Sequence, residues 1–166
     1  MKTLRFVIAA LFLGAVLGLA MSLVQAPEVS AHCQIPCGIY NDPMRFTMLE
    51  EHIVTIEKSM NLITELAEDP SEHANQLVRW TLNKERHADE FAEIVTKYFL
   101  QQRIKPVESL ETPAGTKYVE KLRLCHEMLV ASMKAKQTTD LEHVEQLRTL
   151  LAKFHEAYFA TDGDGA

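Results

Sequence analysis

The chain has 166 residues, 47% of them hydrophobic, which is enough for one domain with a buried core. Its formal net charge of -6 gives no support to nucleic-acid binding, because that function needs clustered positive charge. Removal of residues 1–31 would make the net charge one unit more negative, so attraction of an anionic substrate would have to be local.

Residues 1–31 have the three-part layout of a secretory signal peptide. Lys2 and Arg5 precede an apolar run over residues 6–24, and a polar tail ends at Ala31. The run is near the spanning length, so an uncleaved membrane anchor is the alternative, but the polar tail and small residues favour a cut between Ala31 and His32. We predict an exported protein, periplasmic or extracellular, with no stable membrane association after cleavage by signal peptidase or a dedicated maturation protease.

Residues 32–41 concentrate potential metal ligands in the sequence His-Cys-Gln-Ile-Pro-Cys-Gly-Ile-Tyr-Asn. Cys33 and Cys37 can reach one ion if the backbone turns between them. Pro36 stiffens such a turn, and Gly38 permits the backbone dihedrals that a turn requires. Thiolates select soft or borderline metals.

Residues 42–160 contain four segments with the apolar spacing of amphipathic helices. The first begins at Asp42, a good N-cap, with Pro43 in the first helical position. Its apolar stripe consists of Phe46, Leu49, Ile53, Ile56, Met60, Ile63 and Ala67.

The second segment begins at a capping box formed by Asp69 and Glu72 and runs to about Leu100. Its apolar positions are Leu77, Trp80, Phe91, Ile94, Val95 and Tyr98. The centre of this segment, residues 83–90, is polar and is typical of a solvated helix face.

Residues 101–115 contain two prolines and a glycine and are predicted to form an extended crossover. A third helix follows over about 116–136, with Cys125 on its apolar face, and a capping box at Thr139 and Glu142 begins the fourth. Residues 161–166 are predicted to be a flexible tail. The predicted fold is all-α, a four-helix bundle over residues 42–160. It is preceded by residues 32–41, which we call the metal-binding hook.

Cleavage at Ala31 would give the hook two further donors, the α-amine and the imidazole of His32. That amine, the deprotonated amide of Cys33 and the thiolates of Cys33 and Cys37 form a planar N2S2 set, with the imidazole above it. Planar geometry favours Ni(II) or Cu(II) over zinc, which prefers a tetrahedron. Because the His32 nitrogen is an amide in the precursor, cleavage would act as an activation step.

Other readings of the cysteines and histidines are weaker. A disulfide between Cys33 and Cys37 suits an exported protein, and a thiol-disulfide exchange site would normally have Cys-x-x-Cys spacing. Cys125 continues an apolar stripe and is predicted to be core. The histidines outside the hook lack His-x-x-x-His and Glu-x-x-His spacing, which argues against a ferritin-like di-iron bundle.

The hook residues His32, Cys33, Pro36, Cys37, Gly38 and Tyr40 resemble the nickel hook of nickel-containing superoxide dismutases. The resemblance implies a homohexameric four-helix bundle with one nickel ion per subunit. It implies conversion of superoxide to oxygen and hydrogen peroxide by cycling between Ni(II) and Ni(III). By the same resemblance, His32 supplies the amine and axial imidazole, Cys33 the amide and a thiolate, Cys37 the second thiolate, and Tyr40 lines the access to the metal.

The resemblance also implies a glutamate on the first helix and an arginine on the second that hold the His32 ring. Glu50 best matches the first, with Glu51 as the fallback, and Arg86 matches the second. Gln34 departs from the family, in which Asp is common, and the segment after Tyr40 is slightly longer than in some members. The alternative function is an exported nickel or copper carrier that uses the same hook without catalysis.

Overall fold

The computed structural model describes residues 34–160. The predicted leader, His32, Cys33 and the predicted tail lie outside the described residues. Within residues 34–160 the chain forms four α-helices and no strand, which confirms the predicted all-α bundle. The helices are α1 Asp42–Leu66, α2 Pro70–Glu93, α3 Pro113–Gln137 and α4 Glu142–Phe159, and α2 continues as a π-helical segment, Ile94–Arg103.

Most residues of the predicted apolar stripes meet in one core, but Ala67 is exposed and Leu77 and Trp80 are only half-buried outside that core. Helix α1 packs mainly against α2, and α3 packs mainly against α4, with further contacts that close the bundle. Cys125 is fully buried among these side chains, as predicted. None of the helices in this part of the chain is long and apolar enough to cross a membrane. The largest fully buried side chains are those of Phe91, Phe99, Phe154, Leu49, Ile53, Ile56, Met60, Leu124, Met128, Leu147, Val95 and Val144.

The N-terminus of α1 is capped by Asn41, so the prediction that Asp42 is the N-cap is wrong. The Asn41 Oδ1 accepts a hydrogen bond from the backbone N–H of Met44 at 3.1 Å. Asp42 is the first helical residue, and its carboxylate is used for tertiary contacts instead. The predicted cap of α2 is confirmed, because the Asp69 Oδ1 accepts from the backbone N–H of Glu72 at 3.3 Å.

The connection between α2 and α3 is shorter than the crossover predicted over residues 101–115. Helical structure continues to Arg103, and α3 already begins at Pro113. The Thr112 hydroxyl caps α3 by accepting from the backbone N–H of Gly115 at 3.0 Å. Proline is tolerated in a first helical turn because the N–H that it lacks has no partner within the helix there.

The predicted capping box at the start of α4 is wrong. The Asp140 Oδ1, rather than a Thr139 side chain, accepts from the backbone N–H of Glu142 at 2.9 Å. Asp and Thr are both good capping residues, and sequence spacing alone does not decide between neighbours.

The polar centre of α2 is only partly a solvated face. Lys84 is buried, with 4% of its surface exposed, and its Nζ donates to the backbone carbonyls of Lys136 at 2.8 Å and Thr138 at 2.7 Å. A lysine at this position satisfies carbonyls at the C-terminal end of α3 that have no partner within the helix. Lys84 therefore ties α2 to the end of α3.

We expect Gly115→Ala to destabilise the bundle. A Cβ added at Gly115 would lie 2.5 Å from backbone atoms of Leu110, so the connection before α3 would have to move. Overpacking of this kind typically costs about 1–3 kcal/mol, although Gly→Ala in an open helix position is stabilising. Urea denaturation followed by circular dichroism measures the change, and an increase in the free energy of unfolding would contradict the close approach.

Candidate metal centre

The hook residues that the structure describes form a tight reversal of the backbone. The N–H of Cys37 donates to the carbonyl of Gln34 at 3.0 Å, and the N–H of Ile39 donates to the carbonyl of Pro36 at 2.9 Å. Gly38 has a φ of 89°, a conformation that L side chains rarely adopt, which explains the need for glycine there. The backbone turn for which Pro36 and Gly38 are suited is therefore present over residues 34–39.

Cys37 presents a free, exposed thiol at the centre of this turn. An exposed thiol on a reversing backbone is open to a metal ion. Cys37 therefore fits a nickel site in which it supplies one thiolate. The parts assigned to His32 and Cys33 stay predictions, since both residues lie outside the described chain.

Tyr40 is held where the hook meets the bundle. Its ring meets the ring of Tyr98 edge to face, with centroids 5.8 Å apart. The Arg103 guanidinium lies over the Tyr40 ring, 4.4 Å from its centroid. Edge-to-face pairs and cation–π contacts are both favourable, so the π-helical segment fixes Tyr40 from two sides.

The Asp42 carboxylate accepts hydrogen bonds from three side chains. Arg103 donates its Nε to Oδ1 at 2.8 Å and its Nη2 to Oδ2 at 2.5 Å. The hydroxyls of Tyr98 and Tyr158 donate to the same carboxylate at 2.6 and 2.9 Å. The Arg103 hydrogen bonds are the main cause that lowers the pKa of Asp42, and burial with the Asp42 contact raises the pKa of Tyr98 to about 12.

A pocket of about 420 Å³ lies between the hook and the first two helical stretches. Arg45 and Lys97 bring two cations to this pocket. Arg45 stacks on Tyr98, with its guanidinium carbon 4.8 Å from the ring centroid, whereas Lys97 is ion-paired with Glu93. The pocket is lined by Gln34, Ile35, Pro36, Arg45, Met48, His52, Glu90, Glu93, Ile94, Lys97 and Tyr98.

Glu50 and Arg86 are not among the residues that line the hook pocket. Glu50 is exposed and lines a different pocket, together with Arg148 and His155. Arg86 is exposed on α2, where its Nη2 donates to the Asn83 side chain at 3.4 Å. Their assignment to the His32 ring stays a prediction, as does the fallback Glu51.

The structure brings together three ligand-type residues that the sequence analysis did not group. His52 on α1 lies beside His87 and Glu90 on α2. The pattern His87-x-x-Glu90 places two donors on one helix face, in the reverse order of the Glu-x-x-His pattern that the sequence lacks. The partner His52 comes from another helix, and sequence spacing carries no signal for that contact.

The fold and the turn define a four-helix bundle with an exposed thiol on a backbone turn just before α1. The sequence model of the family described as nickel-containing superoxide dismutase matches residues 27–162. The chain belongs to this family, and it is a nickel-dependent oxidoreductase that acts on superoxide. No match was found among curated proteins or among solved structures.

We expect Asp42→Asn to lower the free energy of unfolding by about 2 kcal/mol at pH 7, because hydrogen bonds to a charged group are lost. Folding lowers the pKa of Asp42 below its ordinary value of 3.8. The stabilisation is therefore present above that value and is lost as the pH falls through the folded pKa. Urea denaturation from pH 7 to pH 2.5 should show the two proteins converging below about pH 4.

Glu68→Gln is the matched control, because Glu68 is exposed just after the end of α1. This variant should follow the parent at every pH. A difference between Asp42→Asn and the parent that is unchanged at low pH would show that the carboxylate charge is not what stabilises this cluster.

Proposed function

We propose that the mature chain begins at His32 and converts superoxide to oxygen and hydrogen peroxide at the hook. Nickel would be held by the amine and imidazole of His32, the amide and thiolate of Cys33, and the thiolate of Cys37. The observation that carries this proposal is the family match over residues 27–162, which includes the whole hook. The exposed Cys37 thiol on its hydrogen-bonded turn supports it.

When bound, nickel supplies the Ni(II)/Ni(III) couple that takes one electron from superoxide and returns one to the next. The chain contributes anionic donors, and the thiolates and the amidate would stabilise the higher oxidation state. Tyr40 would line the access to the metal, since Arg103 and Tyr98 hold its ring next to the hook. By resemblance to the family, Glu50 and Arg86 would hold the imidazole of His32, and this role is part of the proposal.

The hook pocket supports local steering of superoxide. The whole chain is acidic and gives no global attraction for an anion, but Arg45 lines the pocket together with Pro36 of the hook. Among residues 34–160, Arg45 makes no ion pair with a carboxylate, and its side chain contacts Met48 and Tyr98. A cation in a pocket lined by protein raises the local concentration of an anionic substrate.

Export and assembly complete the proposal. The leader would direct the chain out of the cytoplasm, and signal peptidase or a maturation protease would release His32. Ile35 and Ile39 flank the hook turn with 82% and 84% of their surfaces exposed. Apolar side chains exposed on a short turn are suited to burial in a subunit contact, and by resemblance to the family that contact would belong to a homohexamer with hooks near its interfaces.

We expect that one alanine added before His32 will lower superoxide consumption at least about 100-fold, because the extra residue converts the amine ligand into an amide and displaces the imidazole. The comparison uses nickel-loaded protein that begins at His32, with superoxide decay followed by stopped flow. Electron paramagnetic resonance of the parent should give a Ni(III) signal split by a nitrogen ligand.

The same alanine placed after Ala160, just past the C-terminal end of α4, is the control for added length and should leave the rate unchanged. Folded, nickel-loaded parent protein without activity would favour the carrier over the enzyme. Full activity of the variant extended before His32 would refute the role of the free amine.

We expect Arg45→Gln to lower kcat/KM for superoxide several-fold at low ionic strength and to weaken its dependence on salt. Arg79→Gln removes the same charge from a pocket that does not contain the hook and serves as the control. Equal rates for these two variants at every salt concentration would exclude steering by Arg45.

A further inference from the structure

His52, His87 and Glu90 form a compact group between α1 and α2, outside the hook. The Nδ1 atoms of the two imidazoles lie 2.9 Å apart. The Glu90 Oε2 lies 3.6 Å from each of them. Two histidines and a carboxylate are a ligand set found in zinc enzymes, and no part of the hook chemistry uses these three residues.

The spacing of the three atoms matches a metal ion in size. A triangle with sides of 2.9, 3.6 and 3.6 Å has its centre about 2.0 Å from each corner. Zinc binds imidazole nitrogen at about 2.0–2.1 Å and carboxylate oxygen at about 2.0–2.2 Å. We propose that His52, His87 and Glu90 form a second metal site, which binds a divalent ion of the zinc type through two nitrogens and one oxygen.

The surroundings of His52 favour its neutral form, which is the form of imidazole that binds a metal. The exposed fraction of the side chain is 12% for His52, 25% for His87 and 44% for Glu90. Burial and the neighbouring His87 lower the pKa of His52. In the structure, the Nδ1–H of one ring donates a hydrogen bond to Nδ1 of the other. A metal ion would take the place of this hydrogen once the donor ring carries its proton on Nε2 instead.

The site has room for a further ligand. His52 and Glu90 line the hook pocket, so a water molecule can complete a tetrahedron from that side. The donor set contains no sulfur, which separates it chemically from the hook. A set of imidazole and carboxylate donors suits zinc, whereas the planar amine, amide and thiolate set proposed for the hook would favour Ni(II).

The test uses the full mature chain with Cys33→Ser and Cys37→Ser, so that the hook thiols are absent. Calorimetric titration with zinc chloride should give about one zinc ion per chain. His87→Ala in this background should weaken binding at least about 10-fold, since loss of even an outer-shell partner has that effect. Glu90→Gln, at a more exposed position, should also weaken it.

His126→Ala is the matched control, because His126 is an exposed histidine on α3, and it should bind zinc as the parent does. With Co(II), the visible spectrum should be that of a tetrahedral site without thiolate charge transfer. Circular dichroism checks that each variant is folded. If His87→Ala is unfolded, zinc binding by Glu90→Gln provides the test instead.

No zinc binding by the chain without hook thiols would overturn the proposal. Zinc binding that is unchanged in folded His87→Ala or in Glu90→Gln would overturn it as well. The titration involves neither superoxide nor the hook thiols, so its failure would leave the proposed dismutase activity of the hook untouched.

Discussion

The Asp42 carboxylate is the contact on which the arrangement around the hook depends. It accepts hydrogen bonds from two N–H groups of the Arg103 guanidinium and from the hydroxyls of Tyr98 and Tyr158. These partners belong to the π-helical segment and to α4, so one side chain joins the start of α1 to two other elements. Because the hook leads directly into Asp42, the position of the carboxylate also fixes where the hook leaves the bundle.

The π-helical segment explains how two of these partners reach one carboxylate. Tyr98 and Arg103 are five residues apart, and in an α-helix that spacing would place them about 140° apart around the axis. A π-helix hydrogen-bonds over five residues, so the same two residues share a face. Gln102 follows the same geometry, since its Nε2 donates to the Lys97 carbonyl at 2.8 Å and to the Ile35 carbonyl of the hook at 3.4 Å. The wider π-helical winding thus places side chains at the end of this helix where they contact the hook and Asp42.

The sequence predicted the parts of this arrangement that local physics determines. Apolar spacing identified the four helices, and Asp69 was recognised as a cap because its bond to the Glu72 N–H is local. Asn41 and Asp42 are equally good caps by type, and the choice between them depends on Arg103, which is 61 residues away from Asp42. The π-helical winding and the contact between His52 and His87 also depend on packing between helices, which apolar periodicity does not encode.

The two cysteines in the described part of the chain occupy opposite environments, and this contrast confines thiol chemistry to the hook. Cys37 is exposed on a turn, whereas Cys125 is fully buried and burial raises its pKa to about 12. A thiol with that pKa stays protonated at neutral pH, and thiolates rather than thiols bind metals and exchange disulfides. Cys125 therefore cannot compete with Cys37 for an ion, nor pair with it, unless the bundle opens. The odd cysteine count, which argues against a disulfide framework, follows from one core residue added to a hook with two thiols.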